Sequence, residues 1–309
     1  MKDSAPPEDV RPPVTAPWQL VAPEVFALFD RIEWLAHGSI DLGILGPMRH
    51  AIAAIIGDDP ESVGDGPAAT SADPRVAPCV AFAEQFVIDV AGTTPEQRSA
   101  MLQATGADAF TFTQVLFVSD VFARARIALG RLFDTPYLMT VGEPQDAELW
   151  PMLERFMQQV ALMKALDPLT TELVRLRGAR VHDCRLCQSR LSVRALDAAG
   201  SPQVFDELDD YEHASFSQRQ LVALRLTDAL VSQPSAIDAT MAAAVRAEFS
   251  DAEVVEIVLD VVRNAANKIA VALGGDAPVV TQGVEYFDVD ASGDVVANVD
   301  LDVVRAATA

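Results

Sequence analysis

Two cysteines three residues apart are the residues of this sequence whose type and spacing best fit a chemical role. Cys184 and Cys187 form a Cys-x-x-Cys motif, whereas the third cysteine, Cys79, lies in the apolar stretch APCVAFAEQF and is expected in the core. A pair at this spacing can close into a disulfide after one thiol attacks an oxidising substrate. The motif therefore indicates redox chemistry.

The local structure around the pair should decide which thiol ionises. We expect Asp183 to be the N-cap of a helix that runs through Leu191 to Leu196, with both cysteines in its first turn. Residues at i and i+3 share one helix face, and free backbone N–H groups there favour a thiolate. Arg185 and Arg190 add positive charge nearby. One thiol should therefore be unusually acidic.

Two other interpretations of the pair stay open at this point. Zinc needs four protein ligands, or three and a water, but the sequence has no second cysteine pair and only His182 and His213 are within reach. Free cysteines can also pack as small, inert hydrophobes.

The elements that must position the pair are predicted to be helices. Apolar residues from about 18 to 275 recur mostly with helical spacing, which predicts an all-α fold. After Gly274, two β-branched runs flank the turn 291–294 and predict a short C-terminal hairpin. The acidic residues 288–294 imitate a calcium loop, but Val299 stands where its glutamate is needed, so a hairpin turn is favoured.

An internal repeat suggests how the chain is organised. The segments ending in Ala-Leu-Gly at Gly130 and Gly274, 144 residues apart, share a pattern of helix starts and apolar positions. The predicted division is a disordered tail (1–17), a diverged helical repeat without the motif (18–145), a helical domain with the motif (146–277), and a hairpin and tail (278–309). We also expect residues 58–77, rich in Asp, Gly, Pro and Ser, to form a surface loop.

Composition narrows the classes of partner. The chain has 45 acidic against 23 basic residues, a net charge of −22, which disfavours nucleic acid and anionic membranes. No apolar run approaches the ~20 residues of a membrane helix, and no signal peptide is evident, so we expect a cytoplasmic protein.

Glu172, the twelve-residue step to Cys184, and then Cys187 resemble the signature of the AhpD-like (carboxymuconolactone decarboxylase-like) family. The resemblance covers residues 150–275 best. It implies an all-helical, homo-oligomeric protein that reduces a hydroperoxide or disulfide, is recharged by a dithiol electron donor and needs no cofactor or metal. By position, Cys187 resembles the attacking thiol, Cys184 its disulfide partner, and Glu172 a member of the proton relay.

This sequence departs from the family signature at one position. The family histidine, four residues after the second cysteine, falls on Leu191, which cannot transfer protons. His182, Arg190, Tyr211 and His213 are the candidates to replace it. Two alternatives follow: a lyase or hydrolase of the same superfamily using Glu172 as acid and base, or an oligomeric binding protein whose site has decayed.

Four polar residues interrupt the last predicted helix, and they could face either solvent or a pocket. Arg263, Asn264, Asn267 and Lys268 interrupt an otherwise apolar segment. We expect them to face solvent, as charged positions of amphipathic helices usually do, the alternative being that they line a pocket.

Overall fold

The computed structural model describes residues 16–58, 72–137 and 147–299. It confirms the all-α fold with a short C-terminal hairpin. In the first half the helices are α1 (Pro23–Gly38), α2 (Leu42–Ile56), α3 (Val76–Asp89), α4 (Pro95–Thr105), α5 (Ala109–Phe117) and α6 (Ala123–Phe133).

The second half is also helical over most of its length. Its helices are α7 (Leu149–Ala161), α8 (Pro168–Val181), α9 (Arg185–Gln188), α10 (Val193–Ala199), α11 (Gln218–Ser232), α12 (Ala239–Glu248), α13 (Asp251–Asn264) and α14 (Asn267–Leu273). Every helix in the described ranges is too short or too polar to cross a membrane.

Helix order repeats between the two halves. The series α3, α4, α5 and α6 corresponds to α11, α12, α13 and α14 at an offset close to 144 residues, and short 3-10 segments follow both α3 and α11. The helix starts agree with the sequence: Thr94 and Ser250 each cap a helix with a reciprocal side-chain bond. The joint between the last two helices differs: α5 and α6 are connected by a π-helical turn, Val118–Phe122, whereas α13 ends at Asn264 and α14 begins at Asn267 after a two-residue turn.

One apolar core joins the halves. Phe29 on α1 and Phe122 have ring centroids 4.3 Å apart, and Phe122 lies 5.3 Å from Phe156 on α7. A smaller apolar cluster lies beside α8 and contains Leu173, Leu191 and Leu208. The second half is therefore supported on one side by the first half and on the other by its own small core.

A buried ion network crosses between the halves. Asp120, in the π-helical turn, accepts from Nε of Arg124 at 2.6 Å and from Nζ of Lys268 on α14 at 2.5 Å. All three residues are at most 4% exposed. Lys268 is thus buried and paired, so the prediction that it faces solvent is wrong.

The strands form a small sheet at the C-terminal end. β2 (Glu285–Val289) and β3 (Val295–Ala297) are the predicted hairpin, and β1 (Arg190–Ser192) pairs in parallel with β2. Strand β1 was not predicted from the sequence, and it interrupts the helix expected there. The acidic turn of the hairpin is stabilised by its own hydrogen bonds, because the Asp290 side chain accepts from the backbone N–H groups of Ser292 and Asp294.

Several predicted segments lie partly outside the described residues. Residues 1–15 of the predicted tail lie outside the described part of the chain. Of the two remaining tail residues, Ala16 is buried and Pro17 begins a 3-10 helix. Of the predicted loop 58–77, residues 59–71 are outside, and α3 begins at Val76. The C-terminal residues 300–309 are also outside.

Replacing Asp120 by Ala should destabilise the protein strongly. The change leaves the Arg124 and Lys268 cations buried without their carboxylate, which typically costs about 3–5 kcal/mol. Urea denaturation followed by circular dichroism measures the loss. The matched control is Glu212→Ala, which breaks the exposed pair with Arg225 and should cost less than about 1 kcal/mol. Equal losses for both variants would contradict this account.

Candidate functional site

The site begins at the end of α8. Asp167 caps the helix by accepting from the backbone N–H of Thr170, and Pro168 occupies its first position. The helix ends at Val181, and Asp183 then adopts a left-handed conformation (φ 46°), which an aspartate tolerates better than most residues. This sharp turn places the two cysteines back against α8.

The helix that carries the cysteines differs from the one predicted. Cys184, not Asp183, is the N-cap of α9, which is only four residues long, and Ser192 caps the separate helix α10. Asp276 occupies the first two amides of α9: its side chain accepts from Arg185 N and its backbone oxygen from Leu186 N. The third amide, of Cys187, donates to Cys184 Sγ. A free helix terminus is therefore not the source of thiol acidity here.

The two sulfur atoms face each other. Cys184 Sγ donates to Cys187 Sγ at 2.8 Å, and both residues are free thiols. Cys184 is 1% exposed, whereas Cys187 is only partly buried. The hydrogen bond from Cys184, then the charge of Arg175, a bond from Asn267 and the charge of Arg190 lower the pKa of Cys187 to about 7 against the opposing effect of burial. The same hydrogen bond raises the pKa of Cys184.

Glu172 acts on the pair through Arg175. Its two carboxylate oxygens each accept from the Arg175 guanidinium at 2.7 Å, and Oε1 also accepts from Ser192 N. Arg175 in turn donates to the carbonyl oxygens of Cys187 at 2.9 Å and Arg190 at 2.7 Å. No described bond joins Glu172 to either sulfur, so its contact with the pair is indirect.

A polar relay approaches Cys187 from the other side. Asn267 Nδ2 donates to Cys187 Sγ at 3.6 Å, and Asn267 Oδ1 lies 3.0 Å from His182 Nδ1. Burial, followed by the charge of Lys268, lowers the pKa of His182 to about 3, so the ring is neutral near pH 7. Because an amide oxygen only accepts, His182 Nδ1 is the donor, and it fixes the amide with its NH₂ toward sulfur.

Cys187 opens into a cavity of about 580 Å³, bounded by α7, α9, α13, α14 and the hairpin. Arg263, Asn264 and Asn267 line this cavity, so for these three residues the pocket alternative is correct and the solvent-facing prediction is wrong. Arg190 also lines it and is held by Glu285 at 2.5 Å. The volume lies within the range typical of small-molecule sites.

The remaining candidates from the sequence lie elsewhere. Leu191 packs in the small apolar cluster, Tyr211 donates to Asp228, and His213 is exposed beside Asp210. Cys79 is fully buried, as predicted, and burial raises its pKa to about 11. Over the described ranges, no three His, Cys, Asp or Glu side chains are grouped to hold a metal ion.

Residues that position the site were not predicted from the sequence, among them Arg175 and Asp276. Arg175 had a local signal, because it follows Glu172 by three residues and therefore shares its helix face. Asp276 had none, since it lies 91 residues from Arg185 and meets it only in the fold.

Comparison with known proteins finds two similar chains in Mycobacterium tuberculosis. They are the uncharacterized protein Rv2313c of strain ATCC 25618 / H37Rv and the uncharacterized protein MT2376 of strain CDC 1551 / Oshkosh. Each is 41% identical over 230 residues, covering 72% of this chain and 81% of the relative. No family model and no solved structure matches the chain.

Alkylation should distinguish the three thiols. As pH rises, the iodoacetamide reaction of Cys187 should increase with a midpoint near its pKa of about 7, whereas Cys184 and Cys79 should react only at much higher pH. Asn267→Ala removes a donor to the thiolate and should slow Cys187 alkylation roughly 3-fold to 10-fold at mildly acidic pH. Peptide mass spectrometry identifies the modified cysteine.

The control for this experiment is Asn264→Ala. Asn264 lines the same cavity, but it makes no hydrogen bond to Cys187, so its removal should leave the pH midpoint in place. An alkylation midpoint above pH 8 for wild-type Cys187 would refute the account of its acidity.

Proposed function

This chain belongs to the same family as the uncharacterized proteins Rv2313c and MT2376, and we propose that it is a thiol-dependent oxidoreductase reducing a hydroperoxide or disulfide. The observation that carries the proposal is the geometry of the pair. Cys187, with its pKa lowered to about 7, faces a cavity, and a second sulfur lies 2.8 Å behind it. A buried, inert pair would have neither a lowered pKa nor access to a cavity.

The reaction with a hydroperoxide balances within the pair and one external dithiol. Cys187 thiolate attacks the terminal peroxide oxygen, the O–O bond breaks, and the sulfur becomes a sulfenic acid. The alcohol leaves with the proton that the Cys187 thiol had released. Cys184 thiol then condenses with the sulfenic acid, forming the disulfide and water. A dithiol donor reduces the disulfide by exchange and becomes oxidised itself.

The surrounding groups have separate roles in this proposal. Arg175 places a positive charge near the Cys187 thiolate, and Glu172 holds that guanidinium in a two-point pair. Asn267 donates to the thiolate, and neutral His182 orients Asn267. Glu172 and His182 are thus positioning residues. The hydrogen bond from Asn267 and the charge of Arg175 stabilise the Cys187 thiolate in place of the imidazole that Leu191 replaces.

The geometry favours this function over the two alternatives. An acid–base lyase would need Glu172 in contact with substrate, but both its oxygens are occupied and it is 2% exposed. A decayed binding protein would not need a thiol of lowered pKa. The AhpD-like assignment, homo-oligomeric assembly and operation without a cofactor belong to the same proposal and are supported by the resemblance of Glu172, Cys184 and Cys187 to the family signature. We also propose a cytoplasmic location, since free thiols suit a reducing compartment.

Single substitutions should separate the two cysteines. Cys187→Ser should abolish peroxide-dependent oxidation of a dithiol donor, because the attacking sulfur is gone. Cys184→Ser should allow one attack and then stop at the sulfenic acid, which dimedone traps and mass spectrometry detects on Cys187. Both readouts use the full-length reduced protein.

Cys79→Ala serves as the matched control. Cys79 is a buried cysteine on α3, outside the site, so its loss should leave peroxide turnover close to wild type. Turnover that persists in Cys187→Ser, or the absence of a dimedone adduct on Cys187 in Cys184→Ser, would overturn the proposed assignment.

A further inference from the structure

The cavity in front of Cys187 has an apolar wall and a cationic side. Met157, Leu186, Phe287 and Val295 contribute apolar surface. Three arginines contribute the cationic side, namely Arg175, Arg190 and Arg263. Two acids, Glu154 and Asp294, also line the cavity, where they accept hydrogen bonds from Trp150 and Gln158. This combination fits an organic molecule with a carbon skeleton and an anionic group.

The three arginines differ in how their charges are compensated. Arg175 is paired with Glu172, and Arg190 is paired with Glu285. Arg263 has no salt bridge with any described carboxylate, and its Nε donates to the backbone oxygen of Met157 at 3.1 Å. Arg263 is therefore the cation of this cavity whose charge is left for a ligand.

The acid nearest in sequence to Arg263 forms no salt bridge with it in the described part of the chain. Asp260, one helical turn earlier on α13, is 2% exposed, and its Oδ2 has no hydrogen-bond partner among the described residues. Burial raises the pKa of Asp260 to about 8, so this side chain is mostly protonated near pH 7. Arg263 itself keeps its proton, as arginines do.

A buried amide beside Arg263 also lacks an acceptor among the described residues. Asn264 follows Arg263 on α13 and lines the same cavity, and its buried Nδ2 has no acceptor in the described part of the chain. A guanidinium and an amide NH₂ both need acceptors. A carboxylate, which only accepts and which matches the fork of an arginine, is the ligand group that suits them.

We infer that Arg263 anchors a carboxylate, and that the substrate of the cavity is an amphipathic hydroperoxide with an apolar skeleton, a carboxylate at Arg263 and its peroxide group at Cys187. This inference rests on the proposed function, whose oxidation and exchange steps it leaves unchanged. Met157 and Phe287, which line the same cavity, provide apolar surface for the carbon skeleton. The carboxylate is a recognition group and takes no part in the redox step.

The test compares two hydroperoxides that differ by one carboxylate. Reduced full-length protein is mixed with cumene hydroperoxide or with its para-carboxylated analogue, and the loss of free thiol is followed in a single turnover. Wild type should oxidise roughly ten-fold or more faster with the carboxylated compound, as expected for a charge-assisted hydrogen bond. In Arg263→Gln the ratio of the two rate constants should fall to about one. In Arg263→Lys the ratio should stay close to the wild-type value, because the positive charge is kept.

The matched control is Arg225→Gln, which removes the same charge from an exposed arginine paired with Glu212 outside the cavity. It should keep the wild-type ratio. Equal wild-type rates with both compounds would overturn the substrate class and leave the proposed function standing. No reaction with either compound would overturn the proposed reduction of hydroperoxides. An undiminished ratio in Arg263→Gln would overturn the role of Arg263.

A second measurement does not depend on turnover or on the folding of a variant. Benzoate should protect Cys187 of the wild-type protein from iodoacetamide, whereas benzamide, of similar shape but uncharged, should not. Equal effects of the two compounds would count against a carboxylate subsite.

Discussion

The site depends on the buried two-point pair between Glu172 and Arg175. A buried carboxylate is costly to desolvate, and here the cost is offset because the same guanidinium also satisfies two backbone carbonyls. Those carbonyls belong to Cys187, at the cysteine motif, and to Arg190, at the start of β1. One side chain of α8 thereby fixes the end of α9, the start of the sheet and the charge beside the thiolate.

The described part of the first half supports the site from outside the cavity, whose lining residues all lie between 154 and 295. Arg124 on α6 and Lys268 on α14 occupy corresponding positions of the repeat, and both bind Asp120. The two copies thus share one carboxylate. Lys268 follows Asn267 directly, and its charge helps to keep His182 neutral. The buried ion network of Asp120, Arg124 and Lys268 therefore lies directly beside the hydrogen bonds that run from His182 through Asn267 to Cys187.

The fold class, the hairpin and several helix starts were predictable because they depend on local patterns. Ser250 with Glu253 is a capping box readable in four residues, and the hairpin turn is readable in about six. The structure of the motif was not predictable locally. Asp276 accepts from the first two backbone amides of α9. Glu285 in β2 bonds to the Arg190 side chain and pairs with Arg190 in the β1–β2 ladder. Both partners are more than ninety residues away, so a helix from 184 to 196 was the reasonable local expectation and was wrong.

The charge of the molecule and the charge of its cavity act over different distances. A net charge of −22 disfavours polyanions, because a nucleic acid or lipid surface meets the field at many points at once. A small carboxylate carries a single charge, so its repulsion by the net charge of the protein is weaker. At physiological salt, exposed charges more than about 8 Å apart are largely screened from each other. Inside the cavity Arg263 acts at contact distance, where water is partly excluded and its attraction is strongest. An acidic protein can therefore favour a small anionic substrate while its surface repels large ones.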